Sequence, residues 1–212
     1  DFNNDGYDDL FLGSRSITGF YGLSPYSFIM LNNSDNTLSP IEQQRYGMVT
    51  DSKWVDINSD GKEDLILAGD WMPITVLIQE DDLKFTNKTE KYGLSKTNGL
   101  WNVVDIKDFN KDGRIDIIAG NAGTNFKWKP SFKKPVKLYL DDFDDNLQPD
   151  PIIFYDFFGK YVPFPSKDKL DKQLPYLKKK FTNYNNFSNI SDIKSLTGKA
   201  ENDIMEIKYI YD

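Results

Sequence analysis

Acidic and amide side chains recur in this chain at fixed offsets. Asp1, Asn3, Asp5 and Asp9 open the sequence within DFNNDGYDDLFLG. Asp56, Asn58, Asp60 and Asp64 take the same places in DINSDGKEDLILAG, as do Asp108, Asn110, Asp112 and Asp116 in DFNKDGRIDIIAG. Counted from the first Asp, position 6 is glycine in all three copies: Gly6, Gly61 and Gly113. Alternate residues of a tightly curled loop can turn their oxygens toward one centre, and glycine permits the sharp turn that a side chain resists. Position 7 differs in each copy (Tyr7, Lys62, Arg114), as expected if that residue contributes only its backbone carbonyl. Carboxylates brought within about 4 Å of one another repel by ~4 kcal/mol per pair at a protein-like dielectric constant. A cation removes that repulsion, and hard oxygen donors in this number suit Ca2+ better than Mg2+.

Two other readings compete. An EF-hand loop begins with the same D-x-[DN]-x-[DN]-G but needs a bidentate Glu at position 12 and helices on both sides. Position 12 here is Leu12, Leu67 or Ala119, and apolar strand-like runs follow position 9, so the EF-hand is rejected and the ninth-position Asp is expected to close the site. Asp/Asn/Gly clusters also make ordinary turns that hold no ion. Three copies matching at five positions each, in equivalent surroundings, favour the ion. A fourth copy, DFDDNLQPDPIIFY, offers Asp142, Asp144, Asn146 and Asp150, but Leu147 replaces the glycine and Pro149 stiffens the loop. Leucine resists positive φ, so in this copy an ion and a plain turn are both open.

The copies begin at Asp1, Asp56, Asp108 and Asp142, at intervals of 55, 52 and 34 residues. The first two intervals suit a unit of four short strands, such as a propeller blade of ~40–50 residues. SFIMLNNSDNTLSP and ITVLIQEDDLKFTN are apolar runs ending in polar turns. Each leads to a Tyr-Gly pair (Tyr46-Gly47, Tyr92-Gly93), then to a Trp (Trp54, Trp101), and then to the next acidic loop. Runs of 4–7 residues with turn signals between them predict an all-β fold. Residues 166–197 break the alternation. Leu170, Leu174, Leu177 and Phe181 fall at helical spacing, with Ser166 placed as an N-cap and Pro175 as a break, which predicts two short helices. DIMEIKYIYD at the end alternates again and is expected to open a further blade. The predicted layout is therefore blades over 1–165, a helical insertion over 166–197 and the start of another blade over 198–212.

Composition narrows the chemistry. The chain has 212 residues, a formal charge of −7 and 39% hydrophobic residues, enough for a substantial core. Its acidity argues against a nucleic-acid partner. There is no Cys and no His, which rules out disulfides, thiolate or imidazole metal ligation and a Ser-His-Asp triad. No apolar run approaches the ~20 residues of a membrane-spanning helix. The chain begins inside the first acidic copy and reads as a piece of a longer precursor whose export signal lies outside it. A glycosidase would need a carboxylate pair in a cleft. Asp70, Asp156 and Glu206 are left over from the loops, and nothing singles them out. GNAGTNFKWKP (120–130) is read chiefly as a tight turn between blades with Trp128 packed in, and secondarily as a ligand loop. Trp54, Trp71 and Trp101 are expected in the core between blades. Asn32, Asn87, Asn186 and Asn189 stand in N-x-S/T sequons.

The loops at 1–13, 56–69 and 108–120 resemble the FG-GAP/VCBS repeats of integrin-α-like β-propellers. DLILAGDWMPITVL, GNAGTN and PVKLYLDDFDDN, with the Lys-rich insertion, further resemble bacterial VCBS-repeat proteins of the cartilage acidic protein (ASPIC/UnbV) type. The resemblance implies a partial β-propeller of about four blades from a seven-bladed ring, structural Ca2+ and a secreted, surface or periplasmic location. It also implies a non-catalytic role in binding a protein or glycan, with open blade edges available for pairing. The alternative kept in view is a propeller enzyme, a polysaccharide lyase or hydrolase, with chemistry in the central channel.

Overall fold

A computed structural model describes residues 1–123 and 126–211. The chain divides into two compact units, Asp1–Ile17 with Ser24–Gly123, and Thr18–Leu23 with Thr124–Asp212. Strands predominate, arranged as three open antiparallel sheets, in keeping with an all-β, partly propeller-like fold. No helix among the described residues is long and apolar enough to cross a membrane.

In the first unit β1 (Leu10–Leu12), β2 (Ser27–Asn32) and β3 (Leu38–Gln44) pair in that order. The second sheet holds β4 (Met48–Val55), β5 (Asp64–Met72), β6 (Thr75–Gln79), β7 (Phe85–Asn87), β8 (Gly99–Lys107) and β9 (Asp116–Asn121). Every residue of β5 and β6 is buried. The strands alternate between two separate cores, which explains their continuous apolar runs. Leu65, Leu67 and Leu77 join Phe2, Phe11, Ile29 and Phe85 on one side. Ile66, Ala68, Val76 and Ile78 meet Val104 and the half-buried Trp101 on the other. Gly69 is obligatory in this arrangement, because a Cβ there would lie 2.3 Å from the Met48 carbonyl oxygen. Two positions on, Trp71 is buried at φ 59. It marks a bulge at which β5 leaves its partner β4 and takes up β8, through Asp70–Leu100 and Met72–Gly99.

In the second unit β10 (Val136–Asp141), β11 (Asp150–Phe157), β12 (Lys160–Pro163) and β13 (Glu206–Ile210) form a sheet in the order β12-β11-β10-β13. The terminal segment expected to open a further blade therefore lies along β10 instead, from Val136–Ile210 to Leu140–Glu206. Between β12 and β13 there are four short helices rather than two: α1 (Lys167–Gln173), α2 (Leu177–Lys180), α3 (Tyr184–Phe187) and α4 (Ile193–Thr197). Pro175 separates the first pair. Asn183 caps α3 by accepting from the Asn186 N–H, and Asp192 opens α4 with a reciprocal bond pair to Ser195. Ser166 stands at the N-cap of α1, but its side chain makes no capping bond. Leu170, Leu174, Leu177, Phe181, Ile193 and Leu196 close over Tyr139, Ile152 and Phe154 of the sheet. Trp128 is buried between Phe126 and Phe164, while Thr124 and Asn125 of the GNAGTN stretch lie outside the described residues.

Candidate metal centre

The second, third and fourth acidic stretches are the connections β4–β5, β8–β9 and β10–β11, and the first leads into β1. All four share one hydrogen-bond pattern. The position-1 carboxylate accepts the N–H groups of positions 5 and 6 on its two oxygens. Asp1 accepts from Asp5 and Gly6 at 3.0 and 2.8 Å, and Asp56 from Asp60 and Gly61 at 3.0 and 2.9 Å. Asp108 accepts from Asp112 and Gly113 at 3.1 and 2.8 Å, and Asp142 from Asn146 and Leu147 at 3.0 and 2.7 Å. Position 5 accepts from the N–H of position 7: Asp5 from Tyr7, Asp60 from Lys62, Asp112 from Arg114, and Asn146 from Gln148. Position 9 accepts from the N–H of position 2: Asp9 from Phe2, Asp64 from Ile57, Asp116 from Phe109, and Asp150 from Phe143.

Leu147 takes φ 67, the left-handed conformation that Gly6, Gly61 and Gly113 adopt in the other loops. The sequence argument that leucine would oppose this turn is thus overridden by the two N–H bonds to Asp142. The position-7 side chains also do more than fill a free place. Lys62 pairs with Asp81 at 2.7 Å and Arg114 with Asp112 at 2.9 Å.

The loops differ at position 3. In the first three, the Asn carboxamide oxygen accepts the position-5 N–H, and its NH2 donates to the position-5 carboxylate: Asn3 to Asp5 at 2.8 Å, Asn58 to Asp60 at 2.9 Å, Asn110 to Asp112 at 3.2 Å. That amide satisfies one oxygen of the position-5 acid, and it is the leading cause holding Asp60 below the usual carboxylate range. For Asp112 the larger cause is Arg114. In the fourth loop the two residue types are exchanged, Asp144 at position 3 and Asn146 at position 5. A carboxylate has no N–H to give, and Asp144 Oδ1 is buried without a hydrogen-bond partner. One carboxylate oxygen each from Asp142, Asp144 and Asp150 then lie within 4.8 Å of one another. Among the described residues this is the one group of three carboxylates so close.

Burial and neighbouring carboxylates shift the acids of the loops. Burial raises the Asp150 carboxyl above its ordinary range, and the charges of Asp144 and Asp142 add to this. Burial likewise raises Asp64. For Asp142 burial acts in the same direction, but N–H bonds from Leu147, Asn146, Asp144 and Asp145 outweigh it and hold the carboxyl low. Three converging hard oxygens fit a divalent cation. In the other loops each carboxylate oxygen bonded to a single N–H keeps a lone pair for an ion. A groove of roughly 550 Å³ lies between the second and third loops, lined by Asp56, Ile57, Tyr92, Leu94, Arg114 and Ile117 among others. The carboxylates left over from the loops are engaged elsewhere: Asp70 with Arg15, Asp156 with Lys134, and Glu206 with Lys208.

Residues 56–119 match the family model of an FG-GAP-like repeat. The matched stretch runs from the first Asp of the second loop to Ala119 in β9, taking in both loops of this unit that border the groove. The first and fourth loops lie outside it. No curated protein and no solved structure matches the chain. Sequence reasoning missed Gln173 and Lys199, which reach the fourth loop from the segment between β12 and β13. Gln173 Nε2 donates to Asp150 Oδ1 at 3.5 Å, and Lys199 Nζ donates to Asp141 Oδ1 and to the Asp142 carbonyl, both at 3.0 Å. They lie 23 to 58 residues from the groups they meet, beyond any local pattern.

Proposed function

We propose that the chain is a calcium-stabilised, non-catalytic binding module that works outside the cytoplasm, of the VCBS/ASPIC kind its motifs resemble. The carrying observation is the fourfold recurrence of one acidic loop with one hydrogen-bond pattern, each copy leading into an antiparallel strand. Positions 1, 3, 5 and 9 would hold Ca2+ through their side chains, and position 7 through its carbonyl. Bound Ca2+ supplies charge neutralisation and fixed loop geometry, with no chemistry on a substrate. Stiffened loops on either side of the groove at Asp56–Arg114 would present a surface to a protein or glycan ligand. Millimolar extracellular calcium suffices even for weak sites of this type.

The test pairs a double variant with a functional screen. Asp60→Ala with Asp112→Ala should abolish the calcium-dependent rise in melting temperature that the second and third loops provide; an unchanged rise refutes the ligand assignment. A glycan array run beside a polysaccharide-turnover assay addresses the activity. Binding without turnover supports the module, and turnover of any polysaccharide favours a propeller enzyme instead.

A further inference from the structure

The hairpin between β11 and β12 turns through two residues, Phe158 at φ 52 and Gly159 at φ 85, with Phe157 and Lys160 as the last pair of the ladder. A turn with positive φ at both central residues suits Asn-Gly, and a bulky side chain resists it. The fold does not recover this cost by burial, because 93% of the Phe158 surface is exposed. Its ring meets that of Phe157 at 4.7 Å between centroids, and Phe157 is itself half exposed. From there ring contacts run through Tyr155 to Phe164, and on through Trp128 to Phe126. Tyr155 and Trp128 are buried, and the four phenylalanines are exposed. A strained residue that serves nothing inside the fold, joined to a continuous apolar patch, points to something outside that covers it.

Positive charge borders the patch. Residues 126–135 and 155–164 carry Lys127, Lys129, Lys133, Lys134 and Lys160 against one acid, Asp156, which Lys134 engages at 2.9 Å. Lys160 stands directly opposite Phe157 and so shares its face of the sheet. Strand pairing brings the β11–β12 hairpin and the start of β10 to one end of this sheet. The 141–150 connection, with five Asp and no basic residue, lies at the other end. In a chain of net charge −7, the two signs are thus segregated along a single sheet.

We infer that this end of the second unit's sheet docks on a lipid surface with anionic headgroups, Phe157 and Phe158 entering the acyl boundary and the lysines meeting the phosphates. Two features select lipid over a further sheet or a folded protein. Phe158 stands on a convex tip beyond the last ladder pair, so it suits a soft medium that needs no matching pocket. Five lysines in a dry protein interface would lose their hydration, whereas the headgroup layer is wet and negative. Lysine stems can lie along the apolar rings while their ammonium groups stay among the headgroups, and aromatic rings settle at that same boundary. The acidic connection at the opposite end of the sheet then points away from the membrane. Docking of this kind inserts side chains alone and is independent of calcium in the loops.

Vesicle co-sedimentation of the whole 212-residue chain tests this, with phosphatidylcholine alone and with phosphatidylcholine mixed with phosphatidylglycerol. Binding should require phosphatidylglycerol and weaken as NaCl is raised. Phe158→Asn gives the turn its preferred Asn-Gly pair, so the melting temperature should hold or rise while vesicle affinity falls at least about tenfold. A structural role for the ring predicts the reverse. Lys133→Gln and Lys160→Gln should each weaken binding about fivefold. Met205→Ser, which removes an exposed apolar side chain next to the opposite end of the sheet, should leave it unchanged. Equal binding to both vesicle types, binding to neither, or full affinity in Phe158→Asn overturns the inference. So does self-association in sedimentation velocity that Phe158→Asn abolishes, which would assign the patch to a second copy of the chain.

Discussion

The backbone N–H of Gln79 donates to Asp64 Oδ1 at 2.9 Å, while the other oxygen of Asp64 accepts from Ile57 at 3.1 Å. One fully buried carboxylate thereby ties the acidic loop to the end of β6. Asp9 makes the equivalent bond to the N–H of Asn32, at the end of β2, at 2.9 Å. Position 9 is therefore structural whether or not an ion is bound. Asp64→Ala would leave two N–H groups without acceptors, each costing ~1–3 kcal/mol. Urea denaturation in EDTA should show that loss in full. Exposed Asp60→Ala should shift stability by under ~1 kcal/mol under the same conditions.

Leu147 adopts φ 67 with 93% of its surface exposed, so its side chain contributes little by burial. Left-handed backbone costs a non-glycine residue ~1–2 kcal/mol, and glycine returns part of that through a freer unfolded chain. Leu147→Gly should raise stability by about 0.5–1 kcal/mol, read as a higher urea midpoint at an unchanged m-value.

Two glycine substitutions should separate backbone strain from steric clash. Gly113, at φ 83, has open space where a Cβ would sit, so Gly113→Ala should cost only the ~1–2 kcal/mol of its conformation. At Gly69 a Cβ would meet the Met48 carbonyl oxygen at 2.3 Å and Met72 Sδ at 2.5 Å. Gly69→Ala should exceed ~4 kcal/mol or prevent folding, measured by circular dichroism and soluble yield.

Alkaline pH should unfold the protein through its tyrosines. Burial is the leading cause that raises the Tyr46, Tyr139 and Tyr161 hydroxyls above their ordinary value of 10.0, with Tyr161 pushed up to about 12. The folded state holds these protons where the unfolded chain releases them. Stability is therefore intact below about pH 10 and falls as pH rises through 10 toward the folded values, by up to ~1.4 kcal/mol per pH unit for each tyrosine. Tyr139→Phe should give a shallower fall in chemical-denaturation series between pH 9 and 11.

The strands and the loops were legible in the sequence because both are local. Apolar runs bounded by turn residues mark the strands, and the loop pattern is fixed within nine residues by its own N–H bonds. The number of helices was harder to read, since the Asn183 and Asp192 caps divide a stretch in which Leu and Phe spacing alone suggested fewer, longer pieces. The pairing of β13 with β10 could not be read at all, because alternation in Glu206–Ile210 says that a strand forms and not which edge it joins. In the fourth loop the missing glycine drew attention to Leu147. The consequential change is the Asn-to-Asp exchange at Asp144, whose effect depends on burial by residues far along the chain.

Trp71 gives the first unit an unusual seam. Because β5 turns there from one neighbour to another, a single backbone segment is stitched into two successive groups of strands, β4–β7 and β8–β9. Neither group can peel away without tearing the ladder that runs through Asp70 and Met72. Heating should melt them in one transition, and a protease nick in the connection between β7 and β8 should leave the two pieces clasped together rather than free to diffuse apart.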